Sequence, residues 1–193
     1  MPRPIAPRPF ATGLALALAA SCLAPAVARA EDVESPIYRS WAGHKVGTTV
    51  VFRETIANGK NVLETTRTQT LTKLTPDEAL IDEEQTKVVA GKTEVISAMN
   101  LSYKKKFLLL PGVSRDTLEA PTGIGPHGVE TIQVAGKEYR AHFYETEAPT
   151  DHGPARGRTW ISGEVPGKVL RSVIKVPSAD KTITQELLEI KLP

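Results

Sequence analysis

Residues 46–56 impose the strongest constraint on this chain. Val46, Val50, Phe52 and Ile56 fall on one side of a period-two alternation, and Thr49, Arg53 and Thr55 fall on the other. That period belongs to a half-buried β-strand, because successive side chains of an extended backbone point to opposite faces. Asn58-Gly59 follows, and both residue types tolerate the positive φ that a tight hairpin demands. The next run, Val62 to Leu74, carries Thr65, Thr66, Thr68, Thr70 and Thr72. Threonine's branched Cβ favours strands over helices. Two antiparallel strands are therefore expected before any other part of the chain is considered.

The same grammar continues downstream. Thr75-Pro76-Asp77-Glu78 reads as a turn with proline at its second position, residues 79–89 as a strand, and Ala90-Gly91-Lys92 as another turn. Residues 93–126 are less regular. Apolar runs there are interrupted by Lys104-Lys105-Lys106 and Pro111-Gly112, which suggests two short strands and a loop. Thr131–Val134 and Glu138–Glu147 flank Ala135-Gly136-Lys137 as a hairpin, residues 148–157 form a Pro/Gly loop, and Arg158–Ser162 with Lys168–Val176 flank Pro166-Gly167. A last strand spans 181–192. Gly-Lys recurs at Gly59, Gly91, Gly136 and Gly167 with spacings too uneven for a repeat, so it reads as one turn solution used four times. No stretch of twelve residues shows a helical period. The expected fold is all-β: an antiparallel meander of about 8–10 strands forming one strongly curved sheet or half-open barrel.

The first thirty residues stand apart. Arg3 and Arg8 precede an Ala/Leu run that closes on Ala28-Arg29-Ala30, the pattern of a secretory signal peptide. The expected division is a leader over 1–30 and one all-β domain over 31–193, periplasmic or extracellular after cleavage. A degraded lipobox, Ala19-Ala20-Ser21-Cys22, makes a lipoprotein anchored through Cys22 the minor alternative. Without the leader, 163 residues remain with 21 basic and 22 acidic groups and no cysteine. That near-neutral balance argues against nucleic acid as a partner. The missing thiols exclude a disulfide scaffold, a cysteine nucleophile and a thiolate metal site. No later apolar run approaches the length of a membrane span.

Chemistry-bearing motifs are few. Gly123 to Gly128 spells G-x-G-x-x-G but leads into a strand, so no helix N-terminus is there to hold a pyrophosphate. Gly91-Lys92-Thr93 lacks the first glycine of a phosphate loop, since Thr86 occupies that place. His44, His127, His142 and His152 show no metal spacing. No cofactor or catalytic residue is assigned. His142 shares a strand face with Arg140 and Tyr144, the nearest approach to an acid–base pair and the basis of an alternative, hydrolase-like reading. Lys104-Lys105-Lys106 reads as a charged guard in front of the sticky run Phe107–Leu110. Trp160, mid-strand, is expected in the core beside Pro166-Gly167.

The Glu130–Lys137 hairpin, Tyr144-Glu145, and Trp160-Ile161-Ser162-x-x-Val165-Pro166-Gly167 resemble a group of small exported proteins of planctomycete-type bacteria. In that group a V-A-G-K hairpin precedes a W-x-S-x-x-V-P-G hairpin. Many members carry cysteine where this chain has Ala141, and a second glycine where it has Lys168. The resemblance implies export and no assigned activity. By fold analogy alone, such meanders are similar to the curved sheets of periplasmic lipoprotein carriers. An apolar sheet face without a helix to cover it must curl on itself or leave a concavity. Val50, Phe52, Phe143, Trp160, Leu170 and Ile174 are the side chains expected around that interior. The function expected from the sequence is a non-enzymatic envelope module that binds an amphiphile or a partner protein. A purely structural surface module is the third reading.

Overall fold

The computed structural model describes residues 31–110, 113, 115, 118 and 124–193. The expected leader and its Cys22 lie outside the described residues. Eleven strands appear among those described: β1 (Glu31–Glu34), β2 (Thr49–Asn58), β3 (Asn61–Leu74), β4 (Glu78–Val89), β5 (Lys92–Lys104), β6 (Lys106–Leu109), β7 (Ile124–Val134), β8 (Lys137–Ala148), β9 (Ala155–Ile161), β10 (Val169–Val176) and β11 (Lys181–Lys191). Nine form one antiparallel sheet in the order β5-β4-β3-β2-β11-β10-β9-β8-β7, and β1 pairs with β6. The last strand thus inserts between β2 and β10 and joins the two hairpin series at the centre. All four Gly-Lys glycines take positive φ, and Ala90 and Ala135 precede two of them at φ +50° and +53°. Positive φ at both loop residues fits a type I′ hairpin, whose twist matches that of its strands.

Register divides the sheet's side chains into two faces. Phe52 pairs with Leu187 and Arg67, and Leu71 pairs with Ile81, so these share one face. Trp160 pairs with Phe143 and Arg171, and Arg171 with Glu186, which places them on the other.

The expectation that no helix covers the sheet fails. Pro36–Ala42 forms a helix, α1, at the end of the sheet where β2 begins. Ser35 caps it, accepting a hydrogen bond from Tyr38 N at 3.2 Å, and Pro36 supplies the preset φ of a first helical residue. Seven residues are about two turns, too few to print a 3.6-residue period in the sequence. Tyr38 and Trp41 are buried and pack with Val50, Phe52, Leu71, Ile81 and Leu187 in one core. Trp41, rather than Trp160, lies beside Gly167, where an added Cβ would sit 3.9 Å from the indole. Burying each large apolar side chain of this kind contributes about 1.5–3 kcal/mol relative to exposure.

The sheet also curls. β7 and β11 are separated by three strands, so a flat sheet would hold them about 19 Å apart, four spacings of ~4.8 Å. Their Cα atoms instead approach within 8 Å. Consistent with that inward roll, Val134, Tyr139 and Ala141 are buried although register puts them on the Trp160 face. β-bulges at Leu170 in β10 and Leu188 in β11 interrupt the ladders where this change of face occurs.

The remaining differences from the sequence reading are local. Two strands were expected in 93–126 and two are found before residue 110, β5 and β6, but β5 is thirteen residues long rather than short. β7 begins at Ile124, several residues earlier than its sequence pattern indicates, and takes in Gly125 and Gly128. A Cβ at Gly128 would lie 2.8 Å from the Phe143 ring, so this glycine makes room for its cross-strand neighbour rather than for a phosphate.

Candidate functional site

A surface cleft of about 490 Å³ lies between α1 and the face of β8 and β9 that carries His142. Three separate segments build it. α1 contributes Pro36, Arg39 and Ser40; β8 contributes His142 and Tyr144; and Ile161, Ser162 and Lys168 come from β9 and the connection to β10. The β8 pair lies side by side because residues two apart on a strand share a face. Tyr144 stacks on His127 of β7 with ring centroids 6.2 Å apart.

The helix side is held by hydrogen bonds at both ends. Tyr38 Oη donates to Thr75 O at 2.9 Å, tying α1 to the β3–β4 turn. Ser40 Oγ donates to Ile37 O at 2.7 Å and accepts from Gly167 N at 3.0 Å, tying it to the β9–β10 connection. That connection is closed by Ser162 N donating to Lys168 O at 2.8 Å and Lys168 N donating to Val165 O at 2.9 Å. Gly167 and Lys168 both adopt left-handed backbone, at φ +75° and +68°. For lysine this conformation costs about 1–2 kcal/mol, and such residues gather at functional sites. It keeps Lys168 on the wall of the cleft.

The lining is therefore cationic and hydroxylic. Arg39, Lys168 and His142 supply N–H donors, Ser40 and Ser162 supply hydroxyls, and Pro36, Ile161 and the Tyr144 ring supply apolar surface. No carboxylate belongs to the described lining. The sequence reading placed His142 and Tyr144 on one face, and register agrees, since Val129 pairs with His142 and Thr159 with Tyr144. It missed Arg39, Ser40 and Lys168. Lys168 could have been suspected from its place after Pro-Gly in a turn. Arg39 and Ser40 gave no signal, because their role depends on where a seven-residue helix docks.

The six expected interior residues do not line one cavity. Val50, Phe52 and Leu170 are fully packed in the core. Phe143 and Trp160 lie on the opposite face around Arg158, whose guanidinium carbon is 4.0 Å from the Phe143 ring centroid and 5.0 Å from that of Trp160. Arg158 also pairs with Glu130 at 2.9 Å, and the Trp160 indole N–H donates to the same carboxylate. Ile174 stands 37% exposed on the Phe52 face.

Beneath α1 a polar layer closes over the core. Arg67 stacks on Phe52, with its Nε 3.0 Å from Glu54 but off the hydrogen-bond axis, so the contact is Coulombic. Gln85 donates to Glu54 and to Thr65, and Gln69 donates to Glu83. The gap left among Trp41, Phe52, Arg67 and Tyr103 is only about 110 Å³, far below the usual size of a ligand pocket. Among the described residues no group of three or more His, Asp or Glu could hold a metal ion, and no helix is long and apolar enough to cross a membrane.

No family model matches this chain, and no curated protein matches it. Similar solved structures include a chain from Bacteroides fragilis described as an exported protein with a YmcC-like fold, at 10% identity, covering 77% of this chain and 97% of that one, with a TM-score of 0.48. A chain from Parabacteroides distasonis described as a lipoprotein is 8% identical, covering 77% and 96%, with a TM-score of 0.46. A chain of the MucA/MucB complex of Pseudomonas aeruginosa is 9% identical, covering 80% and 54%, with a TM-score of 0.38. At these identities and scores, function is read from this chain's own residues.

Proposed function

We propose that this chain is an exported binding module that seats the anionic head of an amphiphile in the cleft between α1 and β8. One observation carries the reading: Arg39, Lys168 and His142 converge with two serine hydroxyls on one cleft between α1 and β8. Cations and hydroxyls placed around one cavity favour a phosphate or carboxylate group through charge-assisted hydrogen bonds. Ile161, Pro36 and Tyr144 give the adjoining carbon atoms an apolar wall. Binding is preferred to hydrolysis because no acid in the described lining orients His142. The Ser40 hydroxyl is moreover already engaged with the Ile37 carbonyl and Gly167 N. Export rests on the basic leader with its A-x-A site and on the resemblance to small exported planctomycete-type proteins.

The test is a titration of the protein over residues 31–193 with a fluorescent sixteen-carbon fatty acid anion. Saturable binding at micromolar concentration is expected, weakened about tenfold or more in Lys168→Glu and Arg39→Glu, a loss of roughly 1.4 kcal/mol or more. A sixteen-carbon trimethylammonium cation should not compete. Equal binding of the anion and the cation, or no saturable binding, would sink the reading. Tight binding of an acidic peptide in place of the fatty acid would reassign the cleft to a partner protein.

A further inference from the structure

The cleft accounts for a head group and leaves a second feature of the same sheet face unexplained. Leu63 pairs with Ile56, Ile56 with Ile183, and Ile183 with Ile174. Directly paired residues project on the same side. Four aliphatic side chains from β3, β2, β11 and β10 thus stand in one row, on the Phe52 face but toward the end of the sheet away from α1. Leu63 is 47% and Ile174 37% exposed, and the two between them are half-buried. A polar row runs beside it, one step closer to α1: Thr65, Glu54, Gln185, Ser172, Thr159 and Tyr144.

The aliphatic row continues toward the cleft. Ile174 pairs with Gly157 and Gly157 with Thr146, and Thr146 is two residues along β8 from Tyr144, which lines the cleft. Gly157 adds no side chain of its own, and the side chains of Thr146 and Ile174 lean over it from either side, keeping the two rows in contact. A Cβ there would meet Thr146 Oγ1 at 2.7 Å and Ile174 Cγ1 at 3.6 Å. The four aliphatic residues span about 14 Å, three strand spacings, and the step from Tyr144 to Ile174 adds roughly 12 Å.

We infer that this row is the seat of a single long alkyl chain whose anionic head lies in the cleft, an inference that rests on the reading of the cleft given above. The occupant follows from the shape and the charge. The row is one side chain wide, which suits one extended chain rather than a protein segment with side chains on both flanks. It ends at a cationic cleft, which selects an anionic head over a zwitterionic or cationic one. The combined path of about 26 Å accommodates a chain near sixteen to eighteen carbons and leaves an eight-carbon chain short of Ile183.

The experiment compares eight- and sixteen-carbon fatty acid anions by competition against the fluorescent probe, on the protein and on Ile174→Asp, Ile183→Thr and Lys168→Glu. The sixteen-carbon anion is expected to bind about tenfold or more tightly than the eight-carbon one. Ile174→Asp should erase most of that difference, and Ile183→Thr, a substitution strands tolerate, should reduce it with the thermal melt unchanged. Equal affinity for both lengths would overturn the tail seat while the cleft stood. A length preference untouched by either isoleucine variant would overturn it too. Binding lost in the isoleucine variants but indifferent to Lys168→Glu would keep the row and overturn the cleft. No binding of either anion would overturn both.

Discussion

The two halves of the sheet bury opposite faces. In β2 to β5, Val50, Phe52, Leu71 and Ile81 are buried on the face that α1 covers, while the other face presents Thr66, Thr68, Thr70 and Thr72. In β7 and β8 the buried residues are Val134, Tyr139 and Ala141, on the face that is outermost in the first half. His142 and Arg140, on the helix side, are exposed. The buried residues of both halves nevertheless pack into one core, reached from opposite faces of the sheet. One half is covered by a helix and the other curls toward β11, and His142 and Tyr144, left on the helix side of β8, line the cleft.

The largest expected effect separates the two tryptophans. Trp41 is 1% exposed beneath α1, whereas Trp160 is half-buried on the opposite face beside Arg158. Trp41→Ala should cost about 3–5 kcal/mol in denaturant unfolding, and Trp160→Ala about 1–2 kcal/mol. Equal costs would mean that the helix closes its half no more firmly than the curl closes the other.

A smaller effect tests the change of face directly. Ala141 and Thr68 lie on the same face by register, Ala141 with no exposure and Thr68 half-exposed. Ala141→Leu should overpack the curled half and cost about 1–3 kcal/mol. Thr68→Leu should stay within about 0.5 kcal/mol. A harmless Ala141→Leu would argue that β7 and β8 do not roll inward.

The smallest effect belongs to Tyr103, opposite Ala79 in the helix-covered half. Burial, and secondarily the Glu83 carboxylate, raises its phenol above the ordinary value of 10.0, with Arg67 partly offsetting the shift. The folded state therefore holds the proton more firmly than the unfolded chain does. The associated stability is complete below pH 10 and is lost as pH rises through the raised value. Tyr103→Phe should flatten the stability profile above pH 10 and leave it unchanged near neutrality. An alkaline limb identical in both proteins would place the phenol in water.

Much of the architecture was legible locally. Alternation marked β2, threonine marked β3, and the Gly-Lys turns marked four reversals, because strand period and positive φ are properties of adjacent residues. The pairing of His142 with Tyr144 on one face was legible for the same reason. What the residues could not announce depended on segments distant in sequence. α1 is too short to show a period, and its Ser40 meets Gly167 across 127 positions. The bulges at Leu170 and Leu188, which accompany the change of buried face, interrupt the alternation that a sequence reading assumes. The order of residues thus determined that this chain forms antiparallel strands and where most of them turn. Only the tertiary structure decided which face each half buries, because that choice rests on the docking of a helix and the curl of a sheet, both long-range contacts. It is also the choice that brings Arg39, His142 and Lys168 to one cleft.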